Sequence, residues 1–257
     1  MNKTLKLKIF PKEWWLIRYN IFKKSLDLKT FNLHEKETFL RISVDKESYS
    51  EDLIAYSRHT MLNLRQDIER YIKTHHNFKI SFKPLTIASS APEIVKSMGI
   101  AAQAANVGPM AAVAGAIAEE LGAYMDRHCR EIIIENGGDI YIKSGHERTI
   151  AIYAGKTKFS YKIGLQVAAG ETPFSLCTSS GTTGSSISLG RADAVVIKAH
   201  SAALADAVAT ATANRIQTPA DLNPAIEFAR AIPGVTGALA IKEQYLGVWG
   251  DMNLVGI

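Results

Sequence analysis

Glu131-Ile132-Ile133-Ile134-Glu135-Asn136-Gly137-Gly138-Asp139-Ile140-Tyr141-Ile142 is the stretch from which the fold is read. Two β-forming runs flank Asn136-Gly137-Gly138-Asp139, and a Gly turn between such runs reads as a β-hairpin. Upstream the periodicity is helical. Ser90-Ala91-Pro92-Glu93 marks a helix start, with Ser90 as cap, Pro92 in the first turn and Glu93 completing a capping box. That helix is expected to reach Ala105, where Asn106-Val107-Gly108-Pro109 breaks it and a second helix covers 109–126. Gly99, Gly115 and Gly122 leave these Ala-rich helices free to pack closely. Downstream, strands are expected near 148–154, 160–168, 194–197, 236–241 and 244–255, with an Ala-rich helix over 200–216 and a short one over 224–231. Helices and strands arrive in blocks, which makes the class α+β.

Toward the N-terminus, Thr38-Phe39-Leu40-Arg41-Ile42-Ser43-Val44 alternates as a strand, and Leu53, Ile54, Leu62, Leu64, Ile68 and Ile72 carry helical spacing. Phe78-Lys79-Ile80-Ser81-Phe82 alternates again and is expected to form a short strand stopped by Pro84. The organisation read from this is an N-terminal extension with a strand (1–50) and a single domain of two merged halves (51–257).

The chain has 257 residues, 47% hydrophobic and 21% charged, which excludes disorder and leaves ample length for a core. Its net charge of +5 is uneven, since residues 1–85 hold 17 of 30 Lys and Arg but only 10 of 25 Asp and Glu. Charges of both signs alternate there, as on a solvated surface, and no aromatic RNA-binding signature accompanies them, so no nucleic-acid partner is expected. Two cysteines are too few for a disulfide framework. Residues 97–118 carry no charge but are mostly Ala and Gly with an internal break, which reads as two soluble helices and no membrane span. The N-terminus offers no export signal, and a cytoplasmic setting is expected.

Three segments could carry chemistry. Asp206 and Thr210 share one helix face and offer oxygen ligands suited to Mg²⁺, or are simply an exposed Asp and a back-bonded Thr. Residues 177–186, rich in Ser, Thr and Gly, are expected to be a loop able to cradle a phosphate or carboxylate, or a bare surface loop. Cys177 at its leading edge is a candidate nucleophile or sulfur carrier, or a small buried side chain. The 136–139 turn alone is an ordinary turn, and the seven His form no metal spacing.

Taken in order, the pieces resemble the ApbE-like family of FAD-dependent, Mg²⁺-requiring flavin transferases. The matching segments are Gly115-Ala116-Ile117-Ala118, Asn136-Gly137-Gly138-Asp139, Thr178-Ser179-Ser180-Gly181 and the Ser201 to Thr210 helix. The run Val107-Gly108-Pro109-Met110-Ala111-Ala112-Val113-Ala114-Gly115-Ala116-Ile117-Ala118 is similar to the hallmark of a cytosolic branch of that family. The resemblance implies an ApbE-like, T-fold-like architecture with Ala/Gly-rich helices on mixed or antiparallel sheets. It implies Mg²⁺ on Asp206, Thr210 and the Ala118 carbonyl, and FAD or FMN bound through Gly137, Gly138, Thr178, Ser179, Gly181 and Thr182. Cys177 and Ser179 are the candidate catalytic groups. Glu119-Glu120 stand where the transferases carry Lys-Gly, and two carboxylates there are expected to repel a pyrophosphate. The transferases' His-Ile-Ile-Asp-Pro segment has no counterpart in 182–193.

Three functions are therefore expected in competition. One is Mg²⁺-dependent binding or transfer chemistry on a flavin or another phosphate-bearing ligand. Another is a sulfur-assimilation accessory role for Cys177 with a protein partner in sulfur metabolism, which the branch's association with anaerobes implies. The third is non-catalytic binding. Apolar helix surfaces invite a homo-oligomer.

Overall fold

The computed structural model describes residues 27–182 and 189–257. Its centre is an eight-stranded sheet in the order β1-β2-β3-β4-β7-β8-β9-β10, every neighbouring pair antiparallel. The strands are β1 (Leu28–Glu35), β2 (Thr38–Asp45), β3 (Ile132–Asn136), β4 (Asp139–Lys143), β7 (Phe174–Ser179), β8 (Ala194–Ala199), β9 (Val235–Lys242) and β10 (Tyr245–Gly250). A three-stranded antiparallel sheet of β5 (Arg148–Ala151), β6 (Ile163–Val167) and β11 (Leu254–Gly256) is inserted between β4 and β7 and closed by the C-terminal residues. The helices are α1 (Glu51–Thr74), the single turn α2 (Asn77–Ile80), α3 (Glu93–Ala105), α4 (Val113–Met125), α5 (Ala202–Ala213) and α6 (Leu222–Arg230).

Period-two alternation sorts the large sheet's side chains into two cores. Ile132, Ile134, Cys177, Val195 and Ile197 face the helix layer. Ile133, Ile140, Leu176 and Val196 face the small sheet. The triple isoleucine of β3 thus serves a three-layer sandwich of helices, large sheet and small sheet, buried on both faces.

The β3–β4 hairpin forms as expected, and its turn requires glycine because Gly137 and Gly138 have φ of 67° and 114°. The uncharged stretch 97–118 is indeed two helical segments, which meet at 104° after Asn106 adopts φ 55°. No single helix among the described residues is long and apolar enough to cross a membrane.

Several expectations are corrected. Residues 28–45, assigned to an extension with one strand, form two strands of the main sheet, because Leu33, Leu40, Ile42 and Val44 all enter the helix-side core. Phe78 anchors the turn α2 by packing edge-on against Tyr71 while Phe82 is exposed, so 78–82 is not a strand. Ser90 does not cap α3, whose N-cap is Pro92 without a side-chain bond. Cys177, Thr178 and Ser179 are the end of strand β7 rather than loop, since β8 pairs with them through Ser179. Thr183, Gly184, Ser185 and Ser186 of the expected cradle lie outside the described residues.

The small sheet is tied to the large one by an ion cluster. Arg148 at the start of β5 is buried and donates to both oxygens of Asp27, at 3.0 and 2.7 Å, and to Glu131 at 2.8 Å. Burial pushes the Glu131 carboxyl up, but hydrogen bonds from Ser144, Arg148, Gly145 and His146 hold it below the usual carboxylate range. The Arg148 bond likewise lowers Asp27. Both groups therefore stabilise the fold above the ordinary carboxylate range, near pH 4, and lose that contribution as pH falls through their lowered values. Glu131→Gln is expected to destabilise the protein at pH 7 by about 2–3 kcal/mol and to flatten its acid limb, as read by urea midpoints from pH 7 to pH 3.

Candidate functional site

The hairpin turn, the end of β7 and the helices α4 and α5 converge at one end of the large sheet. The two helices touch closely: a β-carbon at Gly115 would lie 2.2 Å from the Ala202 carbonyl oxygen and 2.9 Å from Asp206 Cβ. At that crossing each helix answers the other's unpaired N-terminal amides with a carboxylate. Asp206 of α5 accepts from the Gly115 N–H through Oδ2 at 3.0 Å. Glu119 of α4 accepts through Oε2 from the N–H groups of Ala202 and Ala203, at 2.8 and 3.1 Å, and from Ser201 Oγ at 3.0 Å. Ser201 in turn is the N-cap of α5, bonding Leu204 N.

The Glu119 carboxylate, expected to repel a ligand's pyrophosphate, is engaged by the first amides of α5. Glu120 is half-buried, and burial followed by the neighbouring charges of Glu119 and Glu93 raises its carboxyl above the usual range.

Asp139, the first residue of β4, joins the crossing from the sheet. Its Oδ1 accepts from Thr178 N at 3.2 Å, where the β4–β7 ladder has ended at the Ile140–Leu176 pair. Asn136, across the same turn, donates through Nδ2 to the Ala114 carbonyl at 3.0 Å and so fastens the hairpin to the start of α4. Asp139 and Asp206 are both buried, and burial, then the charge of Asp139, pushes the Asp206 carboxyl well above its ordinary value despite the amide bonds from Gly115 and Ala114. The Asp206 carboxyl is thus shifted toward its neutral form, a setting that a proton satisfies and that one hard cation would relieve. Among the described residues no three His, Cys, Asp or Glu side chains group together as metal ligands. Any cation here would rest on carboxylate plus neutral oxygen. Thr210 is half-buried one turn beyond Asp206, and Ala118 is one turn beyond Gly115 on the buried side of α4.

Cys177 lies beneath the same pair and is fully buried, its Sγ donating to the Ala202 carbonyl at 3.4 Å. Burial, then the charges of Asp139 and Asp206, raises its thiol well above the usual value. A protonated, enclosed thiol is the reverse of the exposed thiolate that nucleophilic or sulfur-carrier chemistry needs. Ser179, two residues on, is also buried and faces the helices. The expected catalytic roles of both side chains thus meet a packed core instead of an open site.

On the other face of the sheet, Gly137, Gly138 and Thr178 border a narrow cleft between the two sheets with about 40 Å³ of free space. Its walls are Ile140, Leu176 and Val196 of the large sheet, with Ile150, Tyr153 and Leu165 opposite. Gly181 and Thr182 do not reach it. A β-carbon at Gly181 would lie 2.1 Å from the Gly190 carbonyl oxygen, and exposed Thr182 donates to Asp193 Oδ1 at 3.2 Å. The structure therefore brings three of the expected ligand-binding residues to one apolar cleft and leaves the carboxylates directly behind its turn. The sequence marks Asn136 and Asp139 as turn residues and Glu119 as a departure from the family, but not the contacts these side chains make. Alternation within β4 was the available signal, since it turns Asp139 away from Ile140 and toward the helices.

A family model described as "AbpE bacteria" matches residues 21–233. The chain belongs to this family. Among its relatives, a UPF0280 protein of Methanococcus aeolicus is 37% identical over 229 residues, covering 86% of this chain and 91% of its own. A UPF0280 protein of Methanocaldococcus jannaschii is 38% identical over 222 residues, covering 84% and 88%. The fold is that of solved flavin transferases. Flavin transferase ApbE from Vibrio cholerae superposes with TM-score 0.60 at 12% identity, over 87% of this chain and 97% of that one. The Pseudomonas stutzeri flavinyl transferase ApbE gives TM-score 0.55 at 9% identity, over 89% and 94%.

Two substitutions test the crossing. Gly115→Ala is expected to destabilise the protein by about 1–3 kcal/mol although alanine is the better helix former, because the new methyl meets backbone. Glu119→Ala removes the carboxylate at the start of α5 and is expected to cost about 1–2 kcal/mol. Chemical denaturation of both variants checks these values, and a neutral or stabilising Gly115→Ala would refute the close approach.

Proposed function

We propose that this AbpE-family protein binds a flavin nucleotide, FAD or FMN, or a closely similar phosphate-bearing ligand, with Mg²⁺ held at the crossing of α4 and α5. The observation that carries this reading is the apolar cleft bordered by Gly137, Gly138 and Thr178, with the buried Asp139–Asp206 pair on the far side of the same turn. The apolar walls match a flat, largely apolar ring system, which would have to part the two sheets because the free space is about 40 Å³, and the absence of side chains at the glycine turn allows close approach of a ligand to backbone. Asp206 and Thr210, with the Ala118 carbonyl, are the oxygen ligands proposed for the metal. Burial and the charge of Asp139 push the Asp206 carboxyl toward its neutral form, and a hard divalent cation would relieve both. When bound, Mg²⁺ would supply charge neutralisation for the ligand's phosphates.

The chain's own residues would position the ligand. Thr178 and the glycine turn would fix the ring at the mouth of the cleft, and Ile140, Leu176 and Val196 would exclude water from its face. Asp139 would orient the metal centre from the sheet while remaining bonded to Thr178 N. The name of the Vibrio cholerae neighbour supports flavin as the ligand class, and transfer of a flavin phosphate is the reaction class that this likeness favours.

Fluorescence titration of FMN and FAD into the purified chain, with and without Mg²⁺, tests the reading. Binding is expected to tighten at least about tenfold with Mg²⁺, and Asp206→Asn is expected to abolish that gain. Thr178→Phe, which fills the cleft, should weaken flavin binding whether or not metal is present. Absence of flavin binding to the wild-type chain in both conditions would sink the proposal.

A further inference from the structure

The three chain connections between the small sheet and the large one all lie at one end of the sandwich. They are 144–147 from β4 to β5, 168–173 from β6 to β7, and 251–253 from β10 to β11. The strand registers bring them together. In the small sheet Arg148 pairs with Val167 and Leu254 with Leu165, and in the large sheet Ile142 pairs with Phe174 and Gly250 with Gly237. The opposite end of the small sheet holds the 152–162 connection, which joins only its own strands β5 and β6.

Side chains fasten the connected end. Arg148 reaches Glu131 and Asp27, and the Gly145 N–H donates to Glu131 Oε1 at 2.8 Å. Thr172 Oγ1 accepts from Ser144 N and donates to the Ser144 carbonyl, both at 2.9 Å, which ties the first connection to the second. Buried Lys198 of β8 pairs with Glu171 of the second connection and with Asp251 of the third, the latter at 2.6 Å. Breaking enclosed ion pairs of this kind is costly.

The far end is held differently. There the narrow cleft meets the glycine turn, and its facing walls are apolar. Beside it, Lys156 and Lys158 of the 152–162 connection face Asp193, Lys242 and Gln244 over an open groove with about 390 Å³ of free space. No ion pair among the described residues spans that groove. Asp193 accepts instead from Thr182 Oγ1 and from the Glu243 N–H, and Thr157 Oγ1 in the groove wall has no hydrogen-bond partner.

We propose that the small sheet is a flap, hinged at 144–147, 168–173 and 251–253, that swings open at the glycine-turn end to admit a planar ligand between the sheets. The hinge keeps its ion pairs, and the contact that opens is the apolar one of Ile150 and Leu165 against Ile140, Leu176 and Val196. A ring entering there covers the apolar faces that the motion exposes. The inference rests on the flavin reading for what enters the cleft, but not for the motion.

Thiol labelling of the full chain with N-ethylmaleimide, read by peptide mass spectrometry, is the test. Val196→Cys places a thiol in the cleft wall, Ile142→Cys places one in the same core near the hinge, and native Cys177 faces the helices from the neighbouring strand. The three positions are 3%, 0% and 0% exposed, so a sandwich that never opens protects them alike. Each rate is normalised to that of the urea-unfolded chain, and Cys177 reports global unfolding within every variant. The flap predicts labelling at position 196 at least about tenfold faster than at Cys177, with position 142 as slow as Cys177. Saturating FMN is expected to slow labelling at 196 at least about tenfold and to leave 142 unchanged. Equal protection at 196 and Cys177, or labelling at 142 as fast as at 196, overturns the flap. So does FMN that binds without shielding position 196. A chain that binds no flavin while 196 still labels ahead of 142 and Cys177 overturns the flavin reading and leaves the flap standing.

Discussion

At Gly115 the backbone of α4 comes so near α5 that no β-carbon fits, and each helix supplies a carboxylate to the other's N-terminus. Helix ends present amides that must find partners when buried, and here the partners are Asp206 and Glu119 in reciprocal positions. The consequence reaches beyond stability. Because Glu119 occupies the start of α5, the neighbouring carboxylate Asp206 is held over the start of α4, beside Asp139 of the hairpin. The hairpin is fixed in its turn by Asn136 on the Ala114 carbonyl. A helix crossing, a glycine turn and a buried acidic pair are therefore one construction, and the cleft between the sheets opens at its outer side.

This arrangement gives Glu119-Glu120 a meaning that charge alone obscures. Replacement of a cation by two acids beside a ligand's phosphates looks prohibitive when only the sequence is considered. In the folded chain one of the two acids is satisfied by three donors, and the other is a half-buried group whose carboxyl is shifted toward its neutral form. The basic excess of the first third falls almost wholly in residues 1–26, which carry seven Lys and Arg against one Glu. Further on the charges balance: Lys36, Arg65 and Arg70 pair with Glu69, Glu37 and Asp67 on the surface of the β1–β2 turn and α1.

Much of the architecture was legible because it rests on strong local signals. Asn136-Gly137-Gly138-Asp139 specified its hairpin, the Asn106–Pro109 break specified two helices rather than one span, and the spacing of Asp206 and Thr210 put both on one helix. What misled was alternation without a partner to pair with: Phe78-Lys79-Ile80-Ser81-Phe82 has strand-like spacing, but only Phe78 finds core. Composition misled at Cys177-Thr178-Ser179 too, where loop-like residues are recruited into β7 because β8 offers a complementary ladder. The site was half visible. Family motifs brought out Gly137, Gly138, Thr178 and Asp206, whereas the roles of Asp139 and Glu119 depend on contacts between segments distant in the chain.

The buried Asp206 carboxylate at the helix crossing is the proposed seat of a hard cation. Anomalous diffraction from crystals grown with Mn²⁺ as a stand-in for Mg²⁺ tests it most directly. A peak is expected about 2.1–2.3 Å from an Asp206 carboxylate oxygen, with Thr210 in the same coordination shell. A Mn²⁺ site elsewhere, with Asp206 bonded only to the Gly115 amide at saturating metal, would contradict it.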